Sequence, residues 1–208
     1  MVQTKTLEAY KNIGKIRIKK GFFGGYRDPS EEIFSEVEGY LRGEQSRFTQ
    51  IVAQTFTLPD AGVTKFEFNW QPERARRTNS PSEPFTTRAR ITNLYLKDSS
   101  LIYFSTEYRF HVVQGCGSRG TIRAFGGKNY ELTEIYFNKI VTVSAYHNEE
   151  IIAVVNPGCF AGEARFTVSE DGFVIRAGEN FQVLANAKHR SELDAARAMI
   201  NQRISNVN

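Results

Sequence analysis

The chain has 208 residues, with 27 Lys and Arg against 23 Asp and Glu and a net charge of +4. That length buries a sizeable core without covalent staples. A hydrophobic fraction of 40%, with 16 Phe and 9 Tyr, excludes intrinsic disorder, and 16 Gly with 6 Pro exclude a collagen-like or low-complexity chain. The two cysteines, Cys116 and Cys159, favour a reducing compartment over a disulfide framework. Residues 1–10 lack the apolar run of a secretory signal, and no N-x-[ST] acceptor occurs, so a cytoplasmic protein is expected. The longest charge-free stretches, 48–59 and 151–162, are shorter than the roughly 18 residues needed to span a bilayer.

The charges are clustered. Residues 1–20 carry Lys5, Lys11, Lys15, Arg17, Lys19 and Lys20 against Glu8, whereas 28–44 carry Asp28, Glu31, Glu32, Glu36, Glu38 and Glu44 against Arg42. These two segments can pair within one chain or between protomers. A third segment, 72–90, holds Arg74, Arg76, Arg77, Arg88 and Arg90 against Glu73 and Glu83, and its Pro, Ser, Thr and Asn content reads as an exposed loop.

In chain order, Lys15, Arg17 and Lys19 alternate with Ile16 and Ile18, the pattern of a strand with one wet basic face. A Gly-rich turn at 22–25 precedes Asp28-Pro29-Ser30-Glu31, which suits a helix start with an acidic cap and a capping box. Ile33, Phe34, Val37, Tyr40 and Leu41 predict a helix over 29–42, stopped by Gly43.

From residue 47 the β-branched and aromatic content predicts strands at 48–58 and 63–71 joined by a turn at 59–62, with Phe66, Phe68 and Trp70 on one buried face. A hairpin follows, 88–96 and 101–113. Residues 115–127, with five glycines, read as a long loop or a short irregular strand. Strands at 130–146 and 151–155 flank His147-Asn148-Glu149. Three short strands, 164–169, 173–177 and 181–185, are separated by turns at 170–172 and 178–180. A helix over 189–204 closes the chain, with Leu193, Ala196, Ile200 and Ile204 in one stripe. The expected class is α+β: a bent, mainly antiparallel sheet or partly open barrel with an N-terminal helix and a C-terminal amphipathic helix.

Ile91-Thr92-Asn93-Leu94-Tyr95-Leu96, Leu101-Ile102-Tyr103-Phe104, Tyr130 to Ile135, and Phe173-Val174-Ile175 followed by the helix to Ile204 form a succession that resembles bacterial pleckstrin-homology-like domains, including the GRAM type. The resemblance covers about 88–204. It implies a bent antiparallel sheet closed by a C-terminal helix, and a binding or assembly module rather than an enzyme. The chain then divides into a strand–helix–hairpin region, 1–87, and a PH-like β-rich region, 88–208, unless the two form one continuous domain.

Tests for chemistry are mostly negative. Gly126-Gly127-Lys128-Asn129 fails the P-loop pattern, because Ile122 stands where its first glycine belongs and Asn129 where its Ser or Thr belongs. Gly21-Phe22-Phe23-Gly24-Gly25 is not a dinucleotide fingerprint. His111, Cys116 and Cys159 lack zinc-ligand spacing. No cofactor is expected. Cys116 with His111 is the weak candidate for thiol catalysis.

The basic residues Lys15, Arg17, Lys19, Arg74, Arg76, Arg77, Arg88 and Arg90 are the stronger candidates, for a protein partner or an anionic lipid surface. The alternative is a nucleic-acid-binding accessory protein using the arginine loop. Exposed strand edges and opposed charge segments also suit self-association into a homo-oligomer.

Overall fold

The computed structural model describes residues 10–18, 28–58, 62–115, 117–155 and 163–207. It is an α+β fold in which antiparallel strands form a curled half-barrel sheet, with one helix near the start and one at the end. The first strand, β1 (Lys11–Arg17), is followed by α1 (Ser30–Phe56). Next come β2 (Thr64–Trp70), the two-residue β3 (Arg76–Arg77), β4 (Phe85–Leu96), β5 (Ser100–Gln114) and β6 (Arg119–Tyr136). A second sheet holds β7 (Thr142–Val155), β8 (Glu163–Ala177) and β9 (Glu179–Ala185), and α2 (Arg190–Val207) ends the chain.

The large sheet runs β1-β6-β5-β4-β2, with β3 also paired to β4. Thus β1 and β2, which precede residue 88, join the same sheet as the strands that follow it.

Several sequence expectations are corrected. The helix does not stop at Gly43, and 48–58 is not a strand. Ile33, Val37 and Leu41 are continued by Phe48 and Val52 at helical spacing, and all five are buried against the sheet. The Phe48 ring lies against Phe104 at 4.6 Å, so tertiary packing overrides the β propensity of this stretch. Nothing lies within 4 Å of where a Gly43 side chain would begin, so the glycine sits in the exposed helix at no steric cost. The helix starts at Ser30 with Pro29 at its N-cap and no side-chain cap, so the expected capping box is not formed; instead the Asp28 carboxylate accepts hydrogen bonds from the Ser30 backbone N–H, at 2.9 Å, and from its hydroxyl.

Residues 119–127 are strand rather than loop. Gly120 permits close packing, since a Cβ there would stand 2.7 Å from Val112. Gly126 and Gly127, with φ of 113° and 72°, carry β6 through a bulge opposite Glu107. Neither 147–149 nor 170–172 is a turn. The pair β7 and β8 keeps one register from Thr142↔Arg176 to Val155↔Glu163. Because β9 pairs only with 171–177, the rest of this hairpin projects as a two-stranded arm.

The large sheet has two faces. Its inner face packs α1 against Ile91, Ile102, Phe104, Phe110 and Ile122. Among the described residues its outer face is covered at one end, where Phe68, Leu94, Leu96, Leu101 and Tyr103 meet the second sheet and α2. Leu193, Ala196 and Ile200 form the buried stripe of α2, with Ile204 partly buried beside them. Phe68 and Trp70 are core residues, as their alternation predicts. No helix among the described residues is long and apolar enough to cross a membrane.

Candidate functional site

The uncovered end of the outer face carries the charge. Strand pairing sets its rows, because paired residues of antiparallel neighbours point to the same side. One row runs Arg76 (β3), Thr86 (β4), His111 (β5), Arg123 (β6) and Asn12 (β1). The adjoining row is Arg88, Arg109 and Phe125, with Tyr10 beside Phe125 at a ring separation of 5.8 Å. Toward the far edge of the sheet lie Lys15, opposite Thr121, and Arg17, opposite Arg119. A bulge between Asn12 and Gly14 lets β1 show both Asn12 and Lys15 on this side while Ile16 stays buried.

The structure therefore separates the eight basic residues singled out by sequence. Lys15, Arg17, Arg76, Arg88 and Arg90 share the outer face. Arg77 pairs with Phe85 and belongs to the opposite side of the ribbon. Arg74 lies between β2 and β3, bound to Asp28 at 2.6 Å. Lys19 lies outside the described residues, as do Cys116 and Cys159. Arg88 and Arg90 lie on β4, within the strand expected over 88–96 rather than in the loop expected over 72–90.

Their ion pairing also differs. Glu170, 6% exposed on β8, accepts a hydrogen bond from Arg88 and one of 3.0 Å from the Tyr146 hydroxyl. Glu150 stands 3.5 Å from Arg88, whose guanidinium lies 5.4 Å from the Trp70 ring centroid. Burial and the neighbouring Glu170 push the Tyr146 phenol above its ordinary pKa. Arg90 meets Glu107 at 3.6 Å and Gln182 at 2.5 Å. These two arginines bind the projecting arm and β9 to the large sheet.

By contrast, Arg76 and Arg109 are 69% and 76% exposed, and each reaches a carboxylate only at 4.0 Å. Lys15 and Arg119 have no ion pair among the described residues. A cleft of about 330 Å³ opens between the arm and the outer face, lined by Trp70, Arg74, Arg76, Arg88, Arg109 and His111 among others.

His111 has Glu83 at 3.1 Å from Nδ1 and the Phe125 ring edge-on at 5.1 Å. Among the described residues no three His, Cys, Asp or Glu side chains are grouped to hold a metal. The acidic segment 28–44 is met within the chain: Glu44 has Lys11 at 4.0 Å, Glu32 accepts the Arg17 backbone N–H at 3.3 Å, and Glu38 pairs with Lys188. That last contact, with Arg42, holds the Glu38 carboxyl below the usual range.

Sequence reading missed Arg109, Arg119 and Arg123 on this face, with the rings of Tyr10 and Phe125. A signal for three of them was present, since Arg119, Thr121, Arg123 and Phe125 alternate with Gly120, Ile122 and Ala124, but the glycines suggested a loop. No protein-family model, curated protein or solved structure matches the chain.

Proposed function

We propose that the protein is a non-enzymatic binding module that receives an anionic partner on the uncovered outer face of its large sheet. The observation that carries this reading is the group of cations that strand pairing gathers there, Lys15 and Arg119 without an ion pair among the described residues and Arg109 with its carboxylate neighbour at 4.0 Å. Like charges set close together on one sheet face repel. A partner that brings negative charge relieves that repulsion and gains from it.

Carboxylates compensate one side of the face, where Glu150 and Glu170 of the arm meet Arg76 and Arg88. Toward β6 and β1, Lys15 and Arg119 have no carboxylate partner among the described residues. The PH-like reading of 88–204 is supported by the division of this segment: β4 to β6 enter one sheet, β7 to β9 the other, and α2 packs on the core between them. It agrees with a binding role.

Retention of the full chain on immobilised heparin tests the reading. Arg119→Glu should elute at distinctly lower salt than the unaltered protein. Arg190→Glu, the same change of charge at the exposed start of α2, should move elution much less. Equal shifts for the two variants, or no salt-dependent retention at all, would overturn the assignment to this face.

A further inference from the structure

Resting on that reading, we infer that the anionic partner is a single-stranded nucleic acid, held on a platform formed by the Tyr10 and Phe125 rings and the cations around them. Three observations converge. The first is a connected set of aromatic rings on the basic face. Tyr10 lies tilted over Phe125 at 5.8 Å, and the His111 ring meets Phe125 edge-on at 5.1 Å. Tyr10 is 49% exposed although it is a large ring, while the other aromatic side chains of the two sheets mostly line the cores.

The second is the placement of charge around these rings. Arg109 is the direct cross-strand neighbour of Phe125, the Arg123 guanidinium lies over the Tyr10 ring at 4.2 Å from its centroid, and Lys15 and Arg119 follow toward the start of β6. Of the acidic groups that the described residues place on this face, Glu83, Glu150 and Glu170 lie toward β4 and the arm, and Glu107 and Glu131 lie past Arg109 and Phe125 toward the covered end of the strands. A backbone of phosphates laid across β5, β6 and β1 thus meets cations on either side of the rings.

The third is geometry. Neighbouring strands stand about 4.8 Å apart, so the row Arg88–Arg109–Phe125–Tyr10 spans roughly 14 Å. Open sheet faces of this kind stack two or three unpaired bases on their aromatic side chains. Base stacking on a ring is sequence-tolerant, and the cations track the backbone. A duplex hides its base faces and cannot use the rings. An acidic protein segment can use the cations but has no planar groups to stack.

Fluorescence anisotropy of a labelled dT12 strand on the full chain tests the platform, with the dA12·dT12 duplex, a poly-glutamate peptide and heparin as comparison probes. The strand should bind more tightly than the duplex or the peptide, with affinity falling as salt rises. Tyr10→Ala should weaken strand binding about five-fold or more, the lower end for one stacked base, a larger loss than it causes in heparin affinity measured at the same salt. Phe125→Leu keeps an apolar side chain at the half-buried position and should do the same, provided its melting curve matches the parent's. Arg109→Ala should lower the slope of log affinity against log salt by about 0.7.

If heparin binds but the ring variants hold dT12 as well as the parent does, the platform is refuted and the basic-face reading stands. Duplex or poly-glutamate binding as tightly as dT12 refutes the platform in the same way. If no polyanion binds, both readings fall.

Discussion

Replacing Arg88 by methionine should destabilise the protein, whereas the same change at Arg109, its cross-strand neighbour, should leave stability intact. The two side chains differ in what they leave behind. Glu170 is only 6% exposed, and Arg88 and Tyr146 are its hydrogen-bond partners, so removing the guanidinium strands a carboxylate with one phenolic donor. A hydrogen bond to a charged group is worth about 1.5–3 kcal/mol. In a chain of this size that lowers Tm by roughly 3–12 °C.

The Arg88 side chain is itself 45% exposed, which favours the lower half of that range. Arg109 is 76% exposed and among the described residues reaches a carboxylate only at Glu107, at 4.0 Å, so Arg109→Met should stay within about 0.5 kcal/mol of the parent. Urea denaturation of the two variants measures both. Combining Arg88→Met with Glu170→Gln should recover at least half of the loss, because the stranded charge is gone. A stable Arg88→Met, or equal losses in both single variants, would refute the division of these arginines into one that holds the arm and one that faces solvent.

Two further outcomes are expected. Thr57 ends α1 with φ of 46°, in the left-handed region that glycine adopts without strain, and its side chain is exposed. Thr57→Gly should therefore raise stability in urea denaturation by about 0.5–1 kcal/mol, the relieved strain less the added chain entropy, and a loss of stability would refute strain at Thr57. Stability should also fall in alkali: burial pushes Tyr103 up to about 12 and Tyr108 higher still, aided at Tyr108 by Glu44, which accepts its hydroxyl hydrogen bond at 2.7 Å. The unfolded chain releases these protons near pH 10 while the folded chain keeps them, so the stability present below pH 10 is lost as pH rises toward 12. At pH 11 the two phenols together account for roughly 3 kcal/mol. Urea unfolding from pH 8 to 11 checks this, and an undiminished loss in Tyr103→Phe would remove Tyr103 from the account.

Much of the local architecture is legible in the residues alone. Alternation identifies β1, β2 and the β4–β5 hairpin, and the Leu193, Ala196, Ile200 stripe identifies α2. Asp28 marks the start of α1. The candidate site was legible in part. Lys15 and Arg17 are basic by simple period-two alternation, but Arg119, Arg123 and Phe125 were hidden by glycines that serve a bulge and close packing instead of a loop. Arg77 and Arg76 are adjacent in the chain and fall on opposite faces, which follows only once β3 is known to pair with β4.

What sequence determines here is the set of segments whose apolar period is unbroken and whose caps are local. Tertiary structure decides the rest, because the deciding contacts lie far along the chain. Phe48 joins a helix because Phe104 waits beneath it. Arg88 becomes an internal counter-ion because Glu170 stands across the cleft. Among the described residues the outer face is dry at one end, where the second sheet and α2 cover it, and charged at the other. Hydrophobic patterning reports that a strand has two different faces, but how far a neighbouring layer extends over one of them is settled by the packing of the whole chain.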